Sequence, residues 1–139
     1  VTPVTVQRSN KIAVIKNVDY FYLQRKNGIQ NMYFNPSKLN AIENMTVLRK
    51  FIEEQSPKNI DALNCRYFST VSNILFQIKD NDHNNEKKIL WNELKAYRKS
   101  VLLNGKARKK ARIAAFLTYF GYTITNFVYS KTQWRGSNL

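Results

Sequence analysis

A chain of 139 residues has room for one modest core, and a 43% hydrophobic and 13% aromatic content is that of a folding sequence, not a disordered one. Four glycines and three prolines are too few for a turn-rich all-β protein, the single cysteine excludes an intrachain disulfide, and no apolar run of about 18 residues is present to cross a membrane. The formal net charge of +14 opposes compaction and points to an anionic partner: lipid, nucleic acid or an acidic protein.

Residues 1–10 are polar and β-leaning through Thr2, Val4, Thr5 and Val6, with Pro3 arguing against a central strand. Residues 11–15 read as a short buried strand, 17–19 as a turn, and 20–24 as a second extended, aromatic segment. Asn27 and Gly28 signal another turn. A first helix is expected from Asn35, an N-cap, with Pro36 at the first helical position. Leu39, Ile42, Met45, Leu48 and Ile52 give it one apolar face, which Phe51 widens. Ser56 and Pro57 repeat the start signal. The second helix presents Ile60, Leu63, Tyr67, Val71, Ile74 and Ile78, the spacing of a packed bundle.

Residues 80–85 are polar and read as a loop. A third helix follows with Ile89, Leu90, Leu94, Tyr97 and Val101, and it is expected to stop at Asn104 and Gly105. A fourth, over residues 106–120, starts with cations and turns apolar at Ile113, Ala114, Phe116, Leu117 and Phe120. Gly121 interrupts it, and residues 122–129 form a last short helix. The expected fold is mainly α: a small N-terminal β element within residues 1–34, then a four- to five-helix bundle-like domain over residues 35–139.

Taken by itself the chain offers no complete active site. His83 is the only histidine and Cys65 the only cysteine, which makes no zinc set. Asp80, Asn81, Asp82 and Asn84 lack the glycine and terminal glutamate of a calcium loop. There is no Gly-rich phosphate loop, and Glu53 and Glu54 lie adjacent on a helix, where they cannot face each other across a substrate. No catalytic residue and no metal ligand is therefore expected within it.

The cations are unevenly spread. Lys106, Arg108, Lys109, Lys110 and Arg112 place five charges in seven residues, with Lys87, Lys88, Lys95, Arg98 and Lys99 just before them. Basic residues at a helix start oppose the macrodipole, so an anionic surface is expected to bind there. The aromatics between Phe116 and Tyr129 would then seat at a membrane interface; the alternative is that they fill the bundle core while the cations face water.

The segment Tyr20, Phe21, Tyr22, then Arg25, then Ile29, preceded by the apolar run 11–15 and followed by helical sequence, resembles the end of the catalytic domain in bacterial family 2 glycosyltransferases of the polysaccharide-synthesis type. The family pattern is an aromatic pair and Tyr, a basic residue, Arg, then Ser-Ile. This chain departs from it at Leu23, where a basic residue is common, and at Gly28, where Ser is usual. The resemblance implies a GT-A parent whose nucleotide-sugar site, acidic general base and Asp-rich motif holding a divalent metal (Mg or Mn) all lie upstream of Val1. It implies that Arg25 binds donor diphosphate and offsets leaving-group charge, and that Tyr20 and Tyr22, on one face of a strand, line a sugar or acceptor pocket.

On this reading the chain is a piece of a longer protein and inactive alone. Its partners are the upstream catalytic domain and an anionic membrane surface. Its place is the cytoplasmic side, peripheral on the inner leaflet. The rival readings are a basic helical module that binds nucleic acid and an interaction module with no enzyme parent.

Overall fold

A computed structural model of the chain describes residues 5, 6, 8–13, 16, 34–79 and 82–136, with side chains as far as Lys131. The chain divides into two compact units, Val1–Asn31 and Met32–Leu139. In the first, Thr5 and Val6 have helical backbone, and Ser9 closes a turn onto them. Its backbone N–H donates to the Val6 carbonyl at 3.2 Å and its hydroxyl to the Thr5 carbonyl at 2.7 Å. A short serine side chain bonding its own backbone favours a turn over an extended ladder, which corrects the β-leaning reading of this segment. Lys11, Ile12 and Ala13 have no regular structure, and all three are exposed. Val14 and Ile15, the aromatic segment 20–24 and the turn at Asn27 and Gly28 lie outside the described residues. No strand occurs among the described residues, so the expected small β element is not seen.

The second unit is helical. Asn35, in extended conformation, accepts the Ser37 N–H at 2.9 Å through its side chain and starts a 3-10 turn, Pro36–Leu39. The proline sits where its missing N–H costs nothing. That turn runs into α1 (Asn40–Gln55). A second proline turn, Pro57–Asn59, leads into α2 (Ile60–Leu75), but here Ser56 makes no side-chain cap. After these come α3 (Asn84–Leu103), α4 (Lys109–Leu117), a 3-10 turn Thr118–Phe120, and α5 (Tyr122–Gly136). The last helix spans 15 residues, longer than the short helix expected over 122–129.

Helix α3 ends where expected, by a different device. Gly105 does not adopt positive φ. Instead Asn104 is extended, its side-chain oxygen accepts the Lys106 N–H at 2.9 Å, and its amide donates to Cys65 Sγ at 3.4 Å. Among the described residues Gly121 is the positive-φ glycine, at 99°, and it turns the chain between α4 and α5. The buried Thr125 hydroxyl fixes that corner with contacts to the carbonyls of Leu117 at 2.9 Å and Gly121 at 2.8 Å.

Hydrogen bonds between helices show that α1, α2, α3 and α4 run antiparallel in succession. Lys38 at the start of α1 bonds Gln77 just past the end of α2. Asn64 near the start of α2 bonds Ser100 near the end of α3 at 3.5 Å. Arg112 and Arg98 bond the Leu102 and Thr118 carbonyls, which pairs α4 with α3 in reverse. The core lies along α2 and α3: Phe68, Val71, Leu75, Leu90, Leu94 and Val101 are all essentially inaccessible. Leu63, Tyr67, Val71, Ile74, Leu90 and Leu94 are buried as their spacing predicts, and Leu39, Ile42, Leu48 and Tyr97 pack half-buried around them. Ile89 was expected on the same face and is 62% exposed, because the α3 stripe facing α2 runs through Leu90, Leu94 and Val101.

Leu94→Ala should cost roughly 2–5 kcal/mol, the range for emptying a core leucine site, whereas Ile89→Ala should shift stability by under about 0.5 kcal/mol. Urea denaturation of the two variants measures both. Similar losses at the two sites would mean that α3 presents a different face to α2.

Candidate functional site

Tyr20, Tyr22 and Arg25 lie outside the described residues, so the expected donor-side set acquires no geometry here. The other expected set, Lys106, Arg108, Lys109, Lys110 and Arg112, is fully described. All five side chains are exposed. Lys106 sits in the turn after α3, Arg108 at the N-cap of α4, and Lys109, Lys110 and Arg112 in the first turn of α4, which carries no acidic residue. Among the described residues, no carboxylate lies within ion-pair distance of any of the five. Arg112 is tied down through its Nε, which donates to the Leu102 carbonyl at 3.1 Å.

Helix α4 is built inside out. Ala115 is fully buried and Ala111 and Ala114 are half-buried against the core. Ile113, Phe116 and Phe120 are 58%, 50% and 55% exposed. Lys109, Arg112, Ile113, Phe116 and Phe120 follow the three-four spacing that keeps side chains on one face, so the cations and the large apolar groups share a single outward stripe. The Phe116 and Phe120 rings meet edge-to-face with centroids 5.1 Å apart. Close by, the Arg98 guanidinium of α3 lies 3.9 Å above the ring of the half-exposed Tyr119. On α5 the exposed Phe127 has the Lys131 ammonium 4.5 Å from its ring.

The aromatics from Phe116 to Tyr129 therefore separate into two sets. Tyr122 and Tyr129 turn inward: Phe76 packs against both, at 6.1 Å and 4.5 Å, and Trp91 meets Tyr122 edge-on at 5.6 Å. Burial pushes the Tyr122 phenol above its ordinary pKa. Phe116, Tyr119, Phe120 and Phe127 face out. In the sequence, Ile113, Ala114, Phe116, Leu117 and Phe120 read as one apolar stretch. The distinguishing signal was the alanine spacing at 111, 114 and 115, which marks the side that sits close to another helix.

A groove of about 200 Å³ opens between α1, α2 and α3, lined by Leu39, Ile42, Tyr67, Ile89 and Leu90 with the carboxylates of Glu43, Glu86 and Glu93. It is smaller than the roughly 300–1,000 Å³ that enclose a drug-sized ligand, and its carboxylates would repel a diphosphate. Two of them have partners: Glu86 lies 3.6 Å from His83, and Glu93 accepts the Tyr67 hydroxyl at 3.0 Å. Beside Tyr67, the Arg49 guanidinium stacks 5.2 Å from the Tyr97 ring and donates to Asn64 at 2.8 Å, joining α1, α2 and α3 through polar contacts. This cluster braces the fold across three helices. Among the described residues, no group of His, Cys, Asp and Glu is arranged to hold a metal ion.

Compared with known protein families, curated proteins and solved structures, the chain matches none.

Burial, and after it the Glu93 carboxylate, hold the Tyr67 phenol far above its ordinary pKa. In the unfolded chain that phenol ionises near pH 10. Its contribution to stability is therefore complete below pH 10 and is lost as pH rises above it. Denaturation midpoints should fall as pH rises above about 10, and Tyr67→Phe should make that fall shallower. An unchanged alkaline slope in Tyr67→Phe would show that the folded protein does not hold this phenol above its ordinary pKa.

Proposed function

We propose that the chain is the C-terminal helical region of a family 2 glycosyltransferase and supports transfer of a sugar from a nucleotide-sugar donor to a lipid-linked polysaccharide acceptor. The observation that carries the reading is the order of signals in the sequence. An apolar run leads to Tyr20, Phe21 and Tyr22, then Arg25 and Ile29, and the first helical signal follows at Asn35 and Pro36. The helical unit packs as one body and leaves donor binding and metal chemistry to the upstream domain. Arg25 acts on the donor diphosphate, because a guanidinium binds two phosphate oxygens at once and offsets charge as the nucleotide leaves. Among the described residues no helix is long and apolar enough to cross a membrane. The region works on the cytoplasmic side, at the inner face of the membrane where a lipid-linked acceptor is found.

In the transferase that carries this segment, Arg25→Ala should lower kcat by roughly 100-fold, the scale of losing one charge-stabilising donor. Arg25→Lys should restore part of it, since an ammonium keeps the charge and loses the fork. The chain by itself, given sugar nucleotides and manganese, should release no nucleoside diphosphate above background. Turnover by the chain alone, or an upstream gene sequence without an acidic pair and an Asp-rich motif, would overturn the reading.

A further inference from the structure

Past Glu93 the chain holds ten Lys and Arg side chains and no Asp or Glu, so this last third carries ten of the fourteen net positive charges. The same stretch contains the inside-out helix. In an ordinary surface helix, large apolar groups go to the core and small or polar ones to water. Helix α4 and the turn after it do the reverse: Ala115 is buried while Ile113 and Phe116 of the helix and Phe120 of the turn stand out beside Lys109 and Arg112. Core formation does not account for these outward side chains, and solubility alone would not place them there.

We propose that the outer face of α4 docks on an anionic phospholipid bilayer. Lys106, Arg108, Lys109, Lys110 and Arg112 meet the headgroup phosphates, and Ile113, Phe116 and Phe120 enter the boundary between headgroups and acyl chains. The inference stands on this surface and does not depend on the transferase reading. Helix α4 has nine residues, about 14 Å at the helical rise. That is half the thickness of a hydrocarbon core of about 30 Å, so it lies in the plane of the surface. The two cation–aromatic pairs, Arg98 over Tyr119 and Lys131 over Phe127, repeat the same pairing of charge and apolar area on the flanks.

A bilayer is favoured because it answers both halves of the surface. Nucleic acid would neutralise the cations but leave Ile113 without a partner. Each cation held at an anionic surface strengthens binding about fivefold, and the apolar side chains add an affinity that salt does not screen.

Co-sedimentation of the 139-residue chain with phosphatidylcholine vesicles, with and without phosphatidylserine, tests this. Binding should be at least about tenfold stronger with phosphatidylserine and should weaken as salt rises. Lys106→Gln, Arg108→Gln, Lys109→Gln and Lys110→Gln combined should remove about a hundredfold or more. This set keeps Arg112, whose bond to the Leu102 carbonyl holds α4 on α3. Phe116→Ser with Phe120→Ser keeps every charge and should still lose about tenfold; far-ultraviolet circular dichroism should show both variants folded. Equal binding to neutral vesicles, undiminished binding by the serine variant, no binding to phosphatidylserine, or tighter salt-sensitive binding to duplex RNA would each overturn the proposal.

Discussion

The packing of α2 against α3 is the interaction on which the rest of the described unit depends. Val71, Leu75 and Val101 are fully enclosed, and Phe68, Leu90 and Leu94 are nearly so. The polar contacts that cross this seam also fix its direction. Asn64 to Ser100 and Asn104 to Cys65 join one end of the pair and Tyr67 to Glu93 its middle, so a slip of either helix would break several at once. Helix α1 then has a surface to close over, and Arg49 ties it to Asn64 while stacking on Tyr97.

This seam explains the odd construction of α4. With α2 already covering one side of α3, α4 packs on the remaining side, where its alanines allow close approach. Ile113 and Phe116 are then on the far side from the core. The following helix solves its own burial with different residues: Tyr122 and Tyr129 reach Phe76, and Thr125 fastens the corner at Gly121. The outward stripe is thus surplus to the fold. A chain with a net charge of +14 could have kept this surface wholly polar. Instead it sets cations and phenyl rings side by side, which is the observation behind the proposed lipid contact.

Much of the helical architecture was legible because the sequence signals and the packing agree. Leu63, Tyr67, Val71 and Ile74 recur at helical spacing and are buried, and Pro36 and Pro57 mark starts that the chain uses. What failed did so for physical reasons. Thr5 and Val6 favour strands by type, yet the Ser9 hydroxyl turns the backbone back on itself. Ile89 fits an apolar period, but Leu90 is the residue facing α2. The end of α3 suggested a glycine cap, and an asparagine side chain does that work. The α4 surface was half legible: the cations stand out in sequence, but which apolar residues accompany them depends on which face α3 covers, and periodicity alone does not say. The donor-side residues Tyr20, Tyr22 and Arg25 were read from resemblance, and that reading has its test in the chemistry.

Site-resolved hydrogen exchange, with and without anionic vesicles, tests most directly whether the fold rests on α2 and α3 and leaves α4 free to serve a surface. In the free protein, amides around Val71, Leu75, Leu90 and Leu94 should exchange slowest, while those from Lys109 to Phe127 open more readily. Adding vesicles should slow exchange over that second stretch and leave the first unchanged. Slowest exchange in α4 of the free protein, or vesicle-induced protection at the groove around Leu39 and Ile42 in place of α4, would contradict the account.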